Sequence, residues 1–481
     1  MAITITLRRD VAYPTGIFVS GNGERGATYR QSLAGKTVSV VGLAKSGVAA
    51  ARLIRRLGGR VLASDSSPLE ALPAEARGLE RLGCALWAGG HPDAAFVGAN
   101  LIVVSPGVPL ELPALVAMRA RGVPIIGELE LAWRVMEADV IAITGTNGKT
   151  TTTALTGELL RTQVRPVLVG GNIGTPLAEH ALEFPGDGIV IAEVSSFQLD
   201  AVDRFRPRVG AILNVTPDHL DRHGTFERYV DAKARMLANQ TPTDCAVLNA
   251  DDPVTAGLGS RVRGRVIWFS RLTTLIHGVF IYDGWVVAKL NGRTERICPV
   301  TEITLRGQHN VENVLAATAC ALWTGMSPSA IRRGIAAFRG VAHRIERVHD
   351  DRGVVYYNDS KGTNVDSTIK ALESFSEPVI LIAGGKGKGQ DFGPLAAAAR
   401  GRVRHAILIG EDRGRIRAAL EPSGIPAEDA ESMDDAVRRA RDAARVGDVV
   451  LLSPACASFD MFRNFEHRGD VFKSVVRALV G

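Results

Sequence analysis

Long apolar runs are missing from this sequence. Its apolar stretches have the length of single strands, well short of the roughly 20 residues that a helix needs to cross a bilayer. The N-terminal residues also lack the apolar segment of a secretory signal peptide. We therefore predict no membrane insertion and no export.

Cysteines are few and scattered. They are five in number and include no Cys-x-x-Cys pair, which argues against a disulfide framework and against a zinc site. A reducing compartment, the cytoplasm, fits this usage. The five residues are Cys84, Cys245, Cys298, Cys320 and Cys456.

Aromatic residues make up only 5% of the chain and do not alternate with the arginines. A platform on which nucleic-acid bases stack needs such alternation. Lys and Arg outnumber Asp and Glu by 57 to 51, a balance that suits binding of small anionic molecules. The sequence thus predicts small-molecule partners and no nucleic acid.

The length of 481 residues predicts about three domains. Residues 1–34 show no sustained periodicity, and we expect an irregular extension there. Apolar strands then alternate with glycine turns and helices, which indicates an α/β fold with mostly parallel sheets. We place a Rossmann-like domain at 35–136, a central nucleotide-binding domain of the P-loop type at 137–342, with hairpins around 262–306, and a second Rossmann-like domain at 343–481.

The strongest local signal is a glycine-containing loop between a strand and a helix. Backbone N–H groups at such a helix start can surround phosphate oxygens, Lys149 can neutralise the phosphates, and the Thr150 hydroxyl can bind Mg²⁺. Only two residues separate its glycines, where an ordinary P-loop has four. The loop comprises Gly145, Thr146, Asn147, Gly148, Lys149, Thr150 and Thr151.

Two polar positions follow strands of the central domain. Glu193 ends an apolar strand, where parallel sheets present ligands, although a solvated strand-end acid would look the same. His219 stands between Asp218 and Asp221 in a loop. A metal or phosphate contact and an ordinary loop histidine are both compatible with that pattern.

A second glycine turn at 42–47 resembles a dinucleotide fingerprint, with Asp65 further along the chain. Ala44 replaces the second glycine of that fingerprint, and no hydride-transfer residues accompany the loop. NAD is therefore not the predicted ligand.

Several segments, in this order, resemble the Mur ligase family. They are 144–151, 193–199, 214–223, 232–233, 307–313, 343–344, 358–364 and 453–469. The last two are most similar to the branch of the family that adds D-glutamate. The resemblance implies an ATP-dependent, amide-forming ligase that joins D-glutamate to UDP-N-acetylmuramoyl-L-alanine through an acyl phosphate, as a cytoplasmic monomer in peptidoglycan precursor synthesis.

The resemblance also implies roles for individual residues. Besides the phosphate loop, Asn310, Asn313, Arg344 and Asp359 would bind ATP. Two Mg²⁺ ions, or Mn²⁺ in their place, would be held by Thr150, Glu193, His219 and Lys233, the last carrying a carbamate derived from CO₂. The UDP-substrate would contact Ala44, Lys45, Ser46, Asp65, Ser105, Pro106, Gly107 and Asn172; D-glutamate would contact Lys361, Thr363, Lys388, Ser458 and Phe465.

Residues 384–389 lack an acid that related enzymes often carry in this loop, which leaves the contact of Lys386 open. Two rival interpretations also stay open. One is a related ligase that uses another amino acid or a folate substrate. The other is a nucleotide-binding regulator without catalysis.

Overall fold

The computed structural model describes residues 23–161, 165–387 and 389–480. These residues form two compact units. The first comprises the chain up to residue 302 together with 312–336, and the second comprises 303–311 together with 337 onward.

The first sheet of the first unit is parallel throughout, with strand order β3-β2-β1-β4-β5. This is the order of the first five strands of a Rossmann fold, in which ligands bind beyond the carboxyl ends of the strands where the order reverses, here between β1 and β4. Its strands are β1 (Thr37–Val41), β2 (Arg60–Ser64), β3 (Ala85–Trp87), β4 (Leu101–Val104) and β5 (Ile125–Gly127). The helices of this region are α1 (Gly23–Leu33), α2 (Lys45–Arg56), α3 (Ala74–Arg77), α4 (Pro113–Ala120) and α5 (Glu128–Val135).

The second sheet has the order β14-β13-β12-β11-β10-β9-β6-β8-β7. Its strands are β6 (Asp139–Thr144), β7 (Val167–Gly171), β8 (Ile189–Glu193), β9 (Val209–Ile212), β10 (Cys245–Asn249), β11 (Arg265–Ser270), β12 (Gly278–Tyr282), β13 (Trp285–Leu290) and β14 (Arg293–Pro299). The helices that follow in chain order are α6 (Lys149–Leu160), α7 (Ser196–Asp200), α8 (Leu220–His223), α9 (Phe226–Ala234), α10 (Pro253–Leu258), α11 (Gln308–Trp323) and α12 (Pro328–Ala337).

The prediction of hairpins around 262–306 is confirmed for β12 to β14, which pair antiparallel. It is wrong for β11, which pairs parallel with both of its neighbours.

The sheet of the second unit has the order β15-β16-β20-β17-β18-β19, and only its edge pair β15–β16 is antiparallel. Its strands are β15 (Glu346–Asp351), β16 (Val354–Asn358), β17 (Val379–Gly384), β18 (Val403–Ile409), β19 (Ala427–Asp429) and β20 (Val449–Leu452). Its helices are α13 (Val365–Glu373), α14 (Gly393–Ala399), α15 (Arg413–Leu420), α16 (Met433–Ala443) and α17 (Phe465–Val480). The predicted α/β class with mostly parallel sheets is confirmed.

The irregular extension predicted for residues 1–34 is wrong for residues 23–33, which form α1. Residues 1–22 lie outside the described part. Helix α1 packs on α5: the Arg30 guanidinium donates to the Val135 carbonyl at 3.0 Å, and Leu33 joins the apolar core. The helix has too few apolar residues to show a helical period in the sequence. It is stabilised instead by contacts with residues that are distant in sequence.

None of the helices within the described ranges combines the length and the apolar character needed to span a bilayer.

Candidate functional site

The phosphate loop joins the end of β6 to the start of α6. Gly148 precedes the helix with a φ of 84°, in the left-handed region that favours glycine. A Cβ at this position would lie 2.2 Å from Oδ1 of Asn313, and the same oxygen accepts a hydrogen bond from Thr152 at 3.1 Å. The loop and α11 are therefore packed too closely for any residue but glycine at 148.

Asn214, which follows β9, fixes the conformation of this loop. Its Oδ1 accepts from the Asn147 amide at 2.9 Å, and its Nδ2 donates to the Asn147 carbonyl at 3.2 Å. Its own carbonyl accepts from the Thr146 amide at 2.9 Å. We did not predict this role, although a polar residue directly after a parallel strand was a signal for it.

Both predicted site lysines point at the loop carbonyls. Nζ of Lys149 donates to the carbonyls of Gly145 and Thr146 at 2.9 and 2.8 Å. Nζ of Lys233 donates to the Gly145 carbonyl at 2.9 Å. Lys233 is 1% exposed, and burial, together with the nearby charge of Lys149, lowers the pKa of its amine well below the usual value.

Glu193 leaves the sheet at the same edge as the loop, because β8 pairs with β6 and sets Glu193 opposite Ile143. Its side chain is buried, and Oε1 accepts from Nδ2 of Asn172 at 2.8 Å. Oε2 is buried without a hydrogen-bond partner among the described residues. A predicted metal ligand and a predicted substrate contact are thus in direct contact with each other.

His219 adopts a left-handed backbone conformation at the start of α8, with a φ of 52°. About half of its side chain is exposed, and its ring centroid lies 4.9 Å from that of Phe197. Nε2 is 3.6 Å from Oδ2 of Asp218. The imidazole is accessible for a ligand contact.

Across residues 23–161, 165–387 and 389–480, no three His, Cys, Asp or Glu side chains are placed to hold a metal ion by themselves. Mg²⁺ commonly takes one or two protein carboxylates and completes its shell with water and substrate phosphates. The unpartnered Oε2 of Glu193 is a buried oxygen of this kind. Thr150, in the first turn of α6, would add a hydroxyl, so these residues fit Mg²⁺ bound together with a nucleotide.

Apart from Asn172, which follows β7 of the second sheet, the predicted UDP-substrate residues lie at the carboxyl edge of the first sheet. Both carboxylate oxygens of Asp65 accept backbone bonds, from Leu43 at 2.6 Å and from Ser67 at 2.8 Å. Partial burial opposes ionisation, but these bonds outweigh it and lower the pKa of Asp65. Oγ of Ser105 donates to the Gly42 carbonyl at 2.8 Å.

Asp65 and Ser105 therefore brace the turn that leads into α2, where Ala44, Lys45 and Ser46 lie. Arg222 of the central domain donates to the carbonyls of Gly107 and Val108 at 3.4 and 2.7 Å, close to Pro106. The edge of the first sheet is thus tied to α8 of the same unit.

In the second unit, Asp359 is buried between two donors. Ser453 donates to Oδ2 at 2.7 Å, and the Ile345 amide donates to Oδ1 at 3.2 Å. Burial raises the pKa of this carboxyl to about 7, against the lowering effects of Ser453 and of Arg344. Asn310 belongs to this unit and donates to the Arg306 carbonyl at 2.6 Å, whereas Asn313 belongs to the first unit.

Three of the predicted D-glutamate residues of the second unit, Lys361, Thr363 and Phe465, lie near one another. Nζ of Lys361 lies 5.5 Å from the centroid of the Phe465 ring, and the amide of Thr363 donates to the Lys361 carbonyl at 2.9 Å. Ser458 is buried. Lys388 lies outside the described residues.

An acidic residue from another segment contacts the loop at 384–387. Asp412 accepts a hydrogen bond from the amide of Gly387 at 2.5 Å. Lys386 exchanges backbone hydrogen bonds with Ala457 at 2.9 and 3.0 Å. The loop is thereby attached to the segment that carries Ser458.

Comparison with known proteins agrees with these motifs. The chain matches the Mur ligase MurD-like N-terminal domain over 36–127, the Mur ligase middle domain over 143–321 and the Mur ligase glutamate ligase domain over 343–456. The chain belongs to the Mur ligase family. The N-terminal and middle domain models cover the segments that carry the glycine turn at 42–47 and the phosphate loop.

Members of the family with curated names are similar over nearly their whole length. The UDP-N-acetylmuramoylalanine–D-glutamate ligase of Pelotomaculum thermopropionicum is 47% identical over 92% of this chain and 98% of its own. That of Acidobacterium capsulatum is 48% identical over 93% of this chain and 97% of its own.

Solved structures support the same fold at lower identity. The UDP-N-acetylmuramate-alanine ligase of Thermotoga maritima is 20% identical with a TM-score of 0.58, over 92% of this chain and 99% of that one. A pseudomurein peptide ligase type C of Methanothermus fervidus is 18% identical with a TM-score of 0.57, over 92% of this chain and all of that one.

Proposed function

We propose that this chain is an ATP-dependent ligase that adds D-glutamate to UDP-N-acetylmuramoyl-L-alanine and releases ADP and phosphate. The observation that carries the proposal is near-full-length identity of 47% to a ligase named for that reaction. The arrangement of the phosphate loop, Glu193 and Lys233 at one sheet edge supports it. All five cysteines are free and buried, which fits a reducing compartment, and we place the reaction in the cytoplasm, carried out by a monomer.

The chemistry has to overcome the poor leaving group of a carboxylate. A terminal oxygen of the L-alanine carboxylate attacks the γ-phosphorus of ATP, and the bond to the ADP oxygen breaks, which leaves an acyl phosphate and ADP. The D-glutamate amine then attacks the acyl carbon and loses a proton. The tetrahedral intermediate collapses with expulsion of phosphate, so that an amide remains.

The first unit provides the charge compensation for phosphoryl transfer. Backbone N–H groups at the start of α6 face the phosphates, as at other helix N-termini that bind anions. Lys149, which donates to the carbonyls of Gly145 and Thr146, would donate to phosphate oxygens when the nucleotide binds. Two Mg²⁺ ions, or Mn²⁺, held by Thr150, Glu193, His219 and a modified Lys233, would offset the remaining charge on the transferred group.

Lys233 is suited to carbamate formation. A neutral amine adds to the carbon of CO₂ and releases a proton to water, which turns a cation into a carboxylate ligand. Burial of Lys233 lowers the pKa of its amine and so increases the neutral fraction. Its position at the Gly145 carbonyl sets it beside the phosphate loop.

The remaining contacts divide between substrates. Residues at the edge of the first sheet, with Asn172, bind the UDP-substrate. Asn310, Asn313, Arg344 and Asp359 bind the nucleotide. Lys361, Thr363, Lys388, Ser458 and Phe465 bind D-glutamate, where cationic side chains suit its two carboxylates.

Phosphate release tests the proposal. The protein is mixed with ATP, Mg²⁺ and UDP-N-acetylmuramoyl-L-alanine, and D-glutamate is compared with L-glutamate, L-alanine and meso-diaminopimelate, with the product weighed by mass spectrometry. We expect turnover with D-glutamate alone. Turnover with another amino acid would move the specificity to that acid, and absence of turnover with all four would favour a nucleotide-binding regulator.

A further inference from the structure

Arg468, in the first turn of α17, is a fully buried side chain with an exposed fraction of 0%. Burial lowers the pKa of its guanidinium to about 10, so that the group still carries its charge at neutral pH. Removing a charge from water is unfavourable unless good hydrogen bonds replace the lost hydration. The partners of Arg468 therefore indicate why the charge is there.

All three nitrogens of the guanidinium donate to oxygens of neutral groups. Nε donates to Oγ of Ser360 at 2.9 Å, and Nη2 to the Ser360 carbonyl at 2.8 Å. Nη1 donates to the Cys456 carbonyl at 3.1 Å. Ser360 extends the connection, because its Oγ donates to the Phe465 carbonyl at 2.8 Å.

These contacts join two segments that are distant in sequence, 358–364 and 453–465. Lys361 follows Ser360 directly, and Ser458 lies two residues after Cys456. Phe465 is attached through Ser360. The three residues so connected, Lys361, Ser458 and Phe465, are proposed contacts of D-glutamate.

Asp359, a proposed nucleotide contact, has anchors of its own. Its carboxylate is held by Ser453 and by the Ile345 amide, and its amide donates to the Leu452 carbonyl at 2.7 Å. None of these bonds involves Arg468. The charge of Arg468 does act on Asp359, and a lysine at 468 would keep that charge while losing the three hydrogen bonds. Arg468→Lys should accordingly disturb the amino-acid contacts more than the nucleotide contact.

We propose that Arg468 is a positioning residue for the amino-acid site: its guanidinium sets the spacing between the Lys361 segment and the segment that carries Ser458 and Phe465. The inference rests on the proposed function. A planar group with several donors can meet three oxygens in fixed directions, whereas a lysine ammonium cannot reproduce that arrangement. Displacement of binding groups by about 1 Å can cost up to about 100-fold in rate.

The test compares Arg468→Lys and Arg468→Gly with Arg477→Lys, an exposed residue on the same helix. KM for D-glutamate, KM for ATP, kcat and the melting temperature are measured for each full-length variant, and Arg468→Gly is also assayed with added methylguanidinium. We expect Arg468→Lys to raise KM for D-glutamate about tenfold with KM for ATP changed less than about twofold. Methylguanidinium should restore part of the Arg468→Gly activity.

Equal changes in the two KM values, or no change in either, would overturn the inference. If Arg468→Gly does not fold, Arg468→Lys alone decides. Failure of the proposed function looks different, because the wild type would then turn over another amino acid or none. If the wild type turns over another amino acid, KM for that amino acid is compared with KM for ATP in the same way, and the comparison decides the role of Arg468. If the wild type turns over no amino acid, both the proposed function and the role of Arg468 are refuted.

Discussion

The ammonium of Lys233 lies over the ring of Tyr229, 4.6 Å from its centroid. The hydroxyl of Tyr229 is 3.1 Å from Oγ1 of Thr146, in the phosphate loop. One aromatic side chain thus contacts both the buried lysine and the loop. Its ring face also provides an apolar surface that excludes water from the amine, which is consistent with the lowered pKa of Lys233.

Replacing Lys233 with alanine should abolish phosphoryl transfer, with kcat reduced by more than about 100-fold. Short carboxylic acids such as acetate should restore part of the activity, because they can supply the oxygen ligand that the carbamate provided. Lys149→Ala is the matched control: it removes a cation, and acetate should not rescue it. An active Lys233→Ala enzyme that ignores acetate would contradict the carbamate.

Gly148→Ala should prevent ATP binding. The added Cβ would lie 2.2 Å from Oδ1 of Asn313, at a φ of +84° that strains other residues. We expect no measurable ATP binding by calorimetry and a loss of stability of a few kcal/mol. Gly257→Ala, where the added Cβ meets nothing within 4 Å, should bind ATP normally. Normal binding by both variants would show that the loop can move away from α11.

Asn214→Ala removes the two side-chain hydrogen bonds that hold Asn147. KM for ATP should rise about tenfold, since the loop is no longer fixed for phosphate binding. Asn239→Ala removes two comparable bonds, to the carbonyls of Asp203 and Phe205, and should leave KM for ATP unchanged. Steady-state kinetics of the pair tests the role of Asn214, and similar KM values for the two variants would refute it.

Glu128→Gln should alter how stability depends on pH. Burial, followed by the charge of Glu179, raises the pKa of Glu128 from 4.5 to about 7, although the Ala178 amide donates to it. The folded protein therefore keeps this proton between pH 4.5 and about 7 while the unfolded chain releases it. The stabilisation that Glu128 gives below pH 4.5 is lost as pH rises to about 7, by up to roughly 3 kcal/mol.

Urea denaturation at pH 5, 6, 7 and 8 measures this effect. The neutral glutamine can still accept from Ala178, so Glu128→Gln should gain stability relative to the wild type as pH rises. Glu373→Gln, at an exposed position, should differ from the wild type by the same amount at each pH. Parallel curves for Glu128→Gln and the wild type would rule out the raised pKa.

Local sequence patterns predicted the elements that present the site. Residues 139–160 read as an apolar strand, a glycine turn and the start of a helix. This pattern predicted where the phosphate loop would lie, because the backbone conformation there depends on neighbouring residues. The same holds for Glu193 at the end of β8. The role of Lys233 was predicted only from the family resemblance. An isolated lysine on a helix is ordinarily solvated, so its local sequence showed no sign of a site.

Contacts between distant segments were not predictable in this way. Helix α1 has little apolar character and is held by α5, more than 100 residues away at the Arg30 to Val135 bond. Asp65 accepts from the amide of Leu43, 22 residues earlier in the chain, and Asp412 accepts from the amide of Gly387, 25 residues earlier.

Apart from α1 and the pairing of β11, the sequence by itself determined the alternation of strands, turns and helices, the phosphate loop and the family, because these depend on local periodicity and on short motifs. The tertiary structure alone decided that Lys233 is buried against Tyr229, that Asn214 holds the loop and that Arg468 joins two segments. Burial and hydrogen bonding set the charge and the geometry of the site. Both depend on which distant residues the packed sheets and helices bring together.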